Sequence, residues 1–246
     1  MDPVCFYIGS RPIYWYGVFV ALGFLAAVTH WTFIARREKR PEGFGSELGF
    51  WVMLSGILGA RVAYILANLD YFRDAPLEIL RIDRGGLIYY GGFIGAALGI
   101  ILFARLRKLP LLSIADLAVS ALPLGHALGR LGCFMNGCCY GLATTCRWAI
   151  FNADDYRYPV QLIEAALNIG VYLLLLRIYR RRKTNGMVLA TYLMTYPVGR
   201  FLLEYLRGDQ RMRWSGLDIA QEVSVVLFIT GVILWLVLRR RKAPNP

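Results

Sequence analysis

The sequence predicts an all-α integral membrane protein of about seven transmembrane helices, with the N-terminus outside and the C-terminus in the cytoplasm. Three observations lead there. First, 57% of the 246 residues are hydrophobic, against roughly 45–50% in an average soluble domain. Second, the excess lies in long runs, each near the ~20 residues that cross a bilayer as a helix. Third, basic residues cluster at alternate ends of successive runs, and the positive-inside rule turns that alternation into an orientation. Residues 1–246 read as one polytopic domain with small outer loops.

The expected spans are Ile13–Ala35, Ser46–Asn68, Gly86–Leu106, Leu111–Leu131, Pro159–Tyr179, Gly186–Leu206 and Leu217–Leu238. The opening Met1-Asp2-Pro3 lacks a basic n-region, and the first apolar run is too long for a signal-peptide core, so the first span is expected to be retained. No internal repeat of the kind found in transporters is visible.

The net charge of +12 does not mark a nucleic-acid binder. The clusters Arg36–Arg40, Arg105–Lys108, Arg177–Lys183 and Arg239–Lys242 follow the first, third, fifth and seventh spans. There they serve as topology anchors that also meet anionic lipid. The remaining arginines are not required by topology. Asp70, Asp74, Glu78 and Asp83 accompany Arg73, Arg81 and Arg84 in the loop after the second span, whereas Arg61, Arg130 and Arg200 lie in or near apolar helices. Charge near the hydrocarbon is costly and marks a functional site by default. Arginines converging near the outer face suit an anionic substrate, best a phosphate.

Taken in order, Tyr14 and Trp15 read as interfacial belt residues. Tyr16, one residue deeper and beside Gly17, could instead line a cavity. In the stretch Arg84–Gly92, two glycine pairs flank Leu87-Ile88-Tyr89-Tyr90. Irregular backbone of this kind is tolerated at membrane depth where it is buried or lines a cavity. Gly91, Gly95 and Gly99 recur every fourth residue, the pattern of close helix packing. In the fifth span, Pro159 suits a first helical turn, and Gln161 and Glu164 share a face for structural polar contacts. Arg200, Glu204 and Arg207 fall at spacings of four and three, placing all three on one face of the sixth span. Glu204 is expected to neutralise Arg200, whose other donors remain free for a phosphate.

The segment Gly129–Gly141, GRLGCFMNGCCYG, ends the fourth span and holds Arg130 beside several thiols. Three readings of Cys133, Cys138, Cys139 and Cys146 compete. They are a disulfide on the oxidising outer side, reactive thiols near a cation, and a metal site. C-x4-C-C-x6-C matches no familiar zinc spacing, so no metal or cofactor is expected, and a disulfide stands slightly ahead. His126 lies one turn before Arg130 and could reach the same cavity. No Walker loop, dinucleotide fingerprint, HExxH or G-x-S-x-G is present.

These motifs, in this order and over nearly the whole chain, resemble the prolipoprotein diacylglyceryl transferase family. Tyr14-Trp15-Tyr16-Gly17 is similar to its first-helix motif, whose essential tyrosine falls on Tyr16. Gly85–Gly92 is similar to a glycine-flanked motif. GRLGCFMNGCCYG resembles the signature G-R-x-x-N-F-x-N-x-E-x-x-G, and Arg157–Glu164 resembles H-P-x-Q-x-x-E. Arg200, Glu204, Arg207 and Asp209 resemble the closing arginine-rich motif. The resemblance implies transfer of a diacylglyceryl group from phosphatidylglycerol to the lipobox cysteine thiol of a lipoprotein-precursor signal peptide, with glycerol phosphate leaving. It implies a bacterial inner-membrane enzyme, acting as a monomer with its site toward the periplasm. Arg130 and Arg200 would hold the phosphate, Tyr16 would position the headgroup, and Gly141 would permit close backbone approach. Asn136, Arg61, Glu204 and Arg207 complete the expected substrate-binding set.

The chain also departs from that pattern. Cys133 stands where the signature has its first asparagine, and Cys138 where it has glutamate. Tyr90 and Tyr158 stand where the motifs have histidine. Either Tyr90 or a thiolate of Cys133 or Cys138 is expected to take over the base or positioning role. The competing expectation is a catalytically altered relative that binds lipid or lipoprotein, with redox-sensitive cysteines.

Overall fold

The computed structural model describes residues 3–81, 85–152, 154–209, 213–214 and 216–240. Asp83, Arg84, Arg241 and Lys242, all noted above, lie outside the described residues. The protein is predominantly helical. A β-hairpin, β1 (Val4–Ile8) and β2 (Arg11–Tyr14), leads into α1 (Trp15–Arg37). There follow α2 (Phe44–Ala67), the short α3 (Leu69–Asp74), a 3-10 turn over Pro76–Leu80, α4 (Tyr89–Leu106) and α5 (Leu111–Met135). A second hairpin, β3 (Ile150–Asn152) and β4 (Asp155–Arg157), precedes α6 (Val160–Arg181) and α7 (Met187–Glu204). The two-residue strands β5 (Arg213–Trp214) and β6 (Leu217–Asp218) precede α8 (Ile219–Arg240).

Among the described residues, long helices overlap each expected span, and six of them (α1, α2, α4, α5, α6 and α8) are long and apolar enough to cross a membrane. The other, α7, carries Arg200, Glu204 and two tyrosines within 18 residues. The last turns of α1, α4, α6 and α8 end in arginines, which complement the partial negative charge of a helix C-terminus. The hairpins differ from the expected pattern of spans and loops; strands of two to five residues leave little periodicity to read.

Two compact units emerge: residues up to 27 together with those from 119 onward, and residues 28–118. In the second unit, α2 and α4 pack through small residues. A Cβ on Gly59 would fall 2.4 Å from the Gly91 carbonyl oxygen, and one on Gly95 would fall 2.3 Å from the Ser55 oxygen. The four-residue spacing of Gly91, Gly95 and Gly99 is therefore a packing stripe, as expected. Without a hydrophobic drive between helices in lipid, such close backbone approach supplies the association through dispersion.

The same unit shows what Gly85-Gly86 does. Both residues have positive φ, +82° and +74°, and α4 starts only at Tyr89 rather than at the expected Gly86. Their carbonyls accept from the Arg61 Nη1 at 2.9 and 3.2 Å. The Arg61 Nε donates to Ile79 O at 3.0 Å, and Nη2 donates to Glu78 O and to Arg81 O. All five guanidinium N–H donors are thus directed at loop carbonyls, and Arg61 is 7% exposed. The left-handed glycines turn the chain so that its carbonyls surround the cation.

Three outcomes follow from this arrangement. Gly95→Val forces a side chain into the Ser55 backbone and is expected to cost about 1–3 kcal/mol, lowering the thermal midpoint of the detergent-purified protein. Gly92→Ala, whose Cβ would sit 3.4 Å from Ala60 and Gly56, is expected to leave the midpoint unchanged or raise it. Arg61→Lys keeps the charge but not the fork. It is expected to speed proteolysis between residues 78 and 86, measured by fragment mapping.

Candidate functional site

The end of α5 builds the site. Gly137 has φ +69°, its N–H donates to Phe134 O at 3.1 Å, and the Cys138 N–H donates to Cys133 O at 3.2 Å. This is a Schellman cap, in which the residue after the left-handed glycine folds back over the last helical turn and stacks on the residue five before it. Those two residues are usually apolar; here they are Cys138 and Cys133. Cys139 also has positive φ, +61°, so the chain turns a second time. As a result the sulfurs of Cys133, Cys138 and Cys139 all lie within 4.8 Å of one another. The expected disulfide among the outer cysteines is not formed: all five cysteines are free thiols. Three of them form a triangle instead of a bonded pair, and Cys146 is exposed.

The Cys139 thiol is held well below its ordinary range, first by the neighbouring Cys133 and Cys138 thiols, then by the Arg207 guanidinium. The Cys138 thiol donates to Cys133 O at 3.6 Å; the Cys133 thiol favours its ionisation, but the Cys139 thiol and burial outweigh this and push it up.

Helix α6 fixes this turn. The Gln161 Nε2 donates to Cys138 O at 2.8 Å. One turn on, the Glu164 Oε1 faces the Arg130 Nε at 2.9 Å. The atoms lack hydrogen-bond alignment, so the contact is an ion pair, with side-chain exposures of 14% for Arg130 and 3% for Glu164. Glu164 was read only as a structural contact. The signal was present: a carboxylate in an apolar helix requires a partner.

Arg200 pairs with Glu204 along α7, as expected, and both side chains are buried. His126 lies within electrostatic range of Arg130, Glu164 and Arg200 and stacks on Tyr196 at 5.3 Å between ring centres. Arg207 departs from expectation. Helix α7 ends at Glu204, so Arg207 does not continue the face of Arg200 and Glu204. It follows a turn, chelates Asp209 through two bonds of 3.0 and 2.9 Å, and reaches Cys139.

The loop after α5 is tied to both neighbours. Gly141 forms a β-bridge with Arg207, Leu142 N donates to Leu206 O, and Tyr158 N donates to Leu142 O. A Cβ on Gly141 would lie 2.5 Å from the Tyr158 oxygen, and one on Gly208 would lie 2.4 Å from the Gly141 oxygen. The close approach expected at Gly141 is therefore made by the protein's own backbone. Tyr16, in the first turn of α1, lies within range of Cys133, Cys138 and Arg130. Its backbone packs on Gly132, whose Cβ would sit 3.2 Å from the Tyr16 Cα.

The first unit thus gathers Tyr16, Arg130, Cys133, Asn136, Cys138, Gly141, Arg200, Glu204 and Arg207, and adds Glu164, Gln161 and Cys139. Arg61 and Tyr90 belong to the second unit. There Arg61 is enclosed by carbonyls as described, and Tyr90 opens α4 half-exposed, edge-on to Tyr89.

Residues 3–237 match the family model for prolipoprotein diacylglyceryl transferase. The chain is 35% identical to the phosphatidylglycerol–prolipoprotein diacylglyceryl transferase of Thermotoga maritima, covering 98% of this chain and 86% of that protein. It is 34% identical to the protein of that name from Geobacter sulfurreducens, covering 98% and 97%. With the Clostridioides difficile protein of that name it shares 30% identity, covering 100% and 98%. With these matches spanning the whole helical core and every loop of the site, the chain belongs to the prolipoprotein diacylglyceryl transferase family.

Proposed function

We propose that this chain transfers the diacylglyceryl group of phosphatidylglycerol to the lipobox cysteine thiol of a lipoprotein-precursor signal peptide. It would do so as a monomer in a bacterial inner membrane, with the C-terminus in the cytoplasm and the site toward the periplasm. The reading rests on one observation above all. The Arg130 and Arg200 side chains are only 14% and 10% exposed, each is oriented by a glutamate, and both act electrostatically on His126.

In this reaction the acceptor sulfur attacks the glyceryl carbon that bears the phosphate. A C–S bond forms, the C–O bond breaks, and its electron pair leaves with glycerol phosphate. The thiol proton is released. The phosphate passes from a singly charged diester toward a more highly charged monoester, so cationic donors bind the transition state more tightly than the lipid. That difference accelerates the step. A glutamate on one edge of an arginine fixes its plane and leaves the remaining N–H donors for phosphate oxygens. Tyr16 would position the headgroup. Tyr90 and the thiols are the candidates for handling the acceptor proton.

Arg130→Ala and Arg200→Ala are each expected to lower transfer by at least about a hundredfold, the scale of losing one preorganised donor to developing charge. The assay is movement of labelled diacylglyceryl from phosphatidylglycerol to a lipobox peptide, with a Cys→Ser peptide as control. Full activity in both variants would refute the assignment. Glu164→Gln leaves the Arg130 charge with a neutral neighbour and is expected to lower the melting midpoint, the direction of breaking a buried ion pair. It is expected to lower transfer less than Arg130→Ala does, with melting midpoint and rate measured on the same preparation.

A further inference from the structure

We propose that Cys133, Cys138 and Cys139 form a three-thiolate site for a soft d10 cation of the zinc(II) or copper(I) class. The inference concerns metal binding alone and stands whether or not the transfer reading holds.

The geometry fits with little adjustment. Zinc–thiolate bonds of about 2.3 Å in a tetrahedral arrangement put neighbouring sulfurs roughly 3.8 Å apart. The three sulfurs here lie within 4.8 Å of one another, so a small contraction brings them into place. Backbone features hold the arrangement, not flexible side chains alone. The Schellman cap stacks Cys138 on Cys133, the left-handed φ of Cys139 returns the third thiol, and Gln161 clamps the Cys138 carbonyl. A linear reading of C-x4-C-C misses this, because familiar zinc spacings assume two ligand pairs on separate turns.

Charge and donor type agree. Three thiolates around a divalent ion carry a net negative charge, and the Arg130 and Arg207 guanidinium groups lie within range of the sulfurs. Asn136 and Arg207 lie beside the Cys138 and Cys139 sulfurs, where outer-shell contacts hold metal thiolates in place. The cluster contains sulfur donors only, which disfavours magnesium and calcium and selects thiophilic ions. Three protein ligands leave the fourth place of a tetrahedral ion open, the pattern of reactive rather than purely structural zinc.

The test uses the full chain, purified in detergent under reductant and titrated with cobalt(II) as the spectroscopic probe. The expected result is one equivalent bound per chain, with a thiolate-to-cobalt charge-transfer band that zinc(II) abolishes by displacement. Cys139→Ser is expected to lose the band, and Cys5→Ser and Cys146→Ser to keep it. Because a buried-thiol variant can fail to fold, alkylation of the unaltered chain is mapped in parallel by mass spectrometry. Zinc should slow labelling of Cys133, Cys138 and Cys139 at least about tenfold and leave Cys146 unaffected. Absence of the band in folded protein, a band that survives Cys139→Ser, or equal labelling with and without zinc would overturn the proposal. So would a disulfide between any two of the three thiols that persists under reductant.

Discussion

The contact on which the site depends is the ion pair between Arg130 and Glu164. A guanidinium held at 14% exposure and a carboxylate at 3% would each be prohibitive alone in an apolar surround, so each makes the other possible. The pair also fixes α6 against α5 at one register. With Glu164 on Arg130, Gln161 falls one turn earlier and meets the Cys138 carbonyl. Removing one partner of a buried pair typically costs about 3–5 kcal/mol, a large share of the stability of most domains. The electrostatics that suit an anionic headgroup are thus the same electrostatics that hold the two helices together.

The second unit handles its buried cation by a different route. Among the described residues, carbonyl oxygens rather than carboxylates from the loop between α2 and α4 surround Arg61. Carbonyl dipoles stabilise the charge without adding a negative one, and in return the loop gains a fixed conformation that its short elements could not maintain. Arg130 and Arg200 keep donors to spare, whereas Arg61 has none. The same residue type therefore serves two ends, and the distinction lies in the partners.

Much of this was legible in the sequence. The apolar runs, the alternating basic clusters and the Gly91–Gly95–Gly99 stripe carry direct physical signals of span and close packing. Arg200 and Glu204 fell at a spacing that pairs them. What escaped was set by chain direction at helix ends. A spacing of three from Glu204 to Arg207 reads as one face only while the helix continues, and α7 stops at Glu204. The thiols looked too irregularly spaced to converge, yet Gly137 directly after the helix was a cap signal that folds position 138 onto position 133. Gly141 permits the close backbone approach expected of it, but the segments that approach, Tyr158 and Gly208, are distant in sequence and invisible to local pattern.

The Schellman turn has a consequence for how this family can vary. It makes residues 133 and 138 one stacked couple, so a change at either alters the packing and polarity that the other experiences. The asparagine and glutamate of the family signature and the two cysteines of this chain are then best regarded as alternative pairs, not as independent substitutions. Drift through a mixed intermediate would leave a lone thiol facing a carboxylate or amide built for a different companion. Positions 133 and 138 should covary across relatives, with residue 139 following them wherever both are thiols.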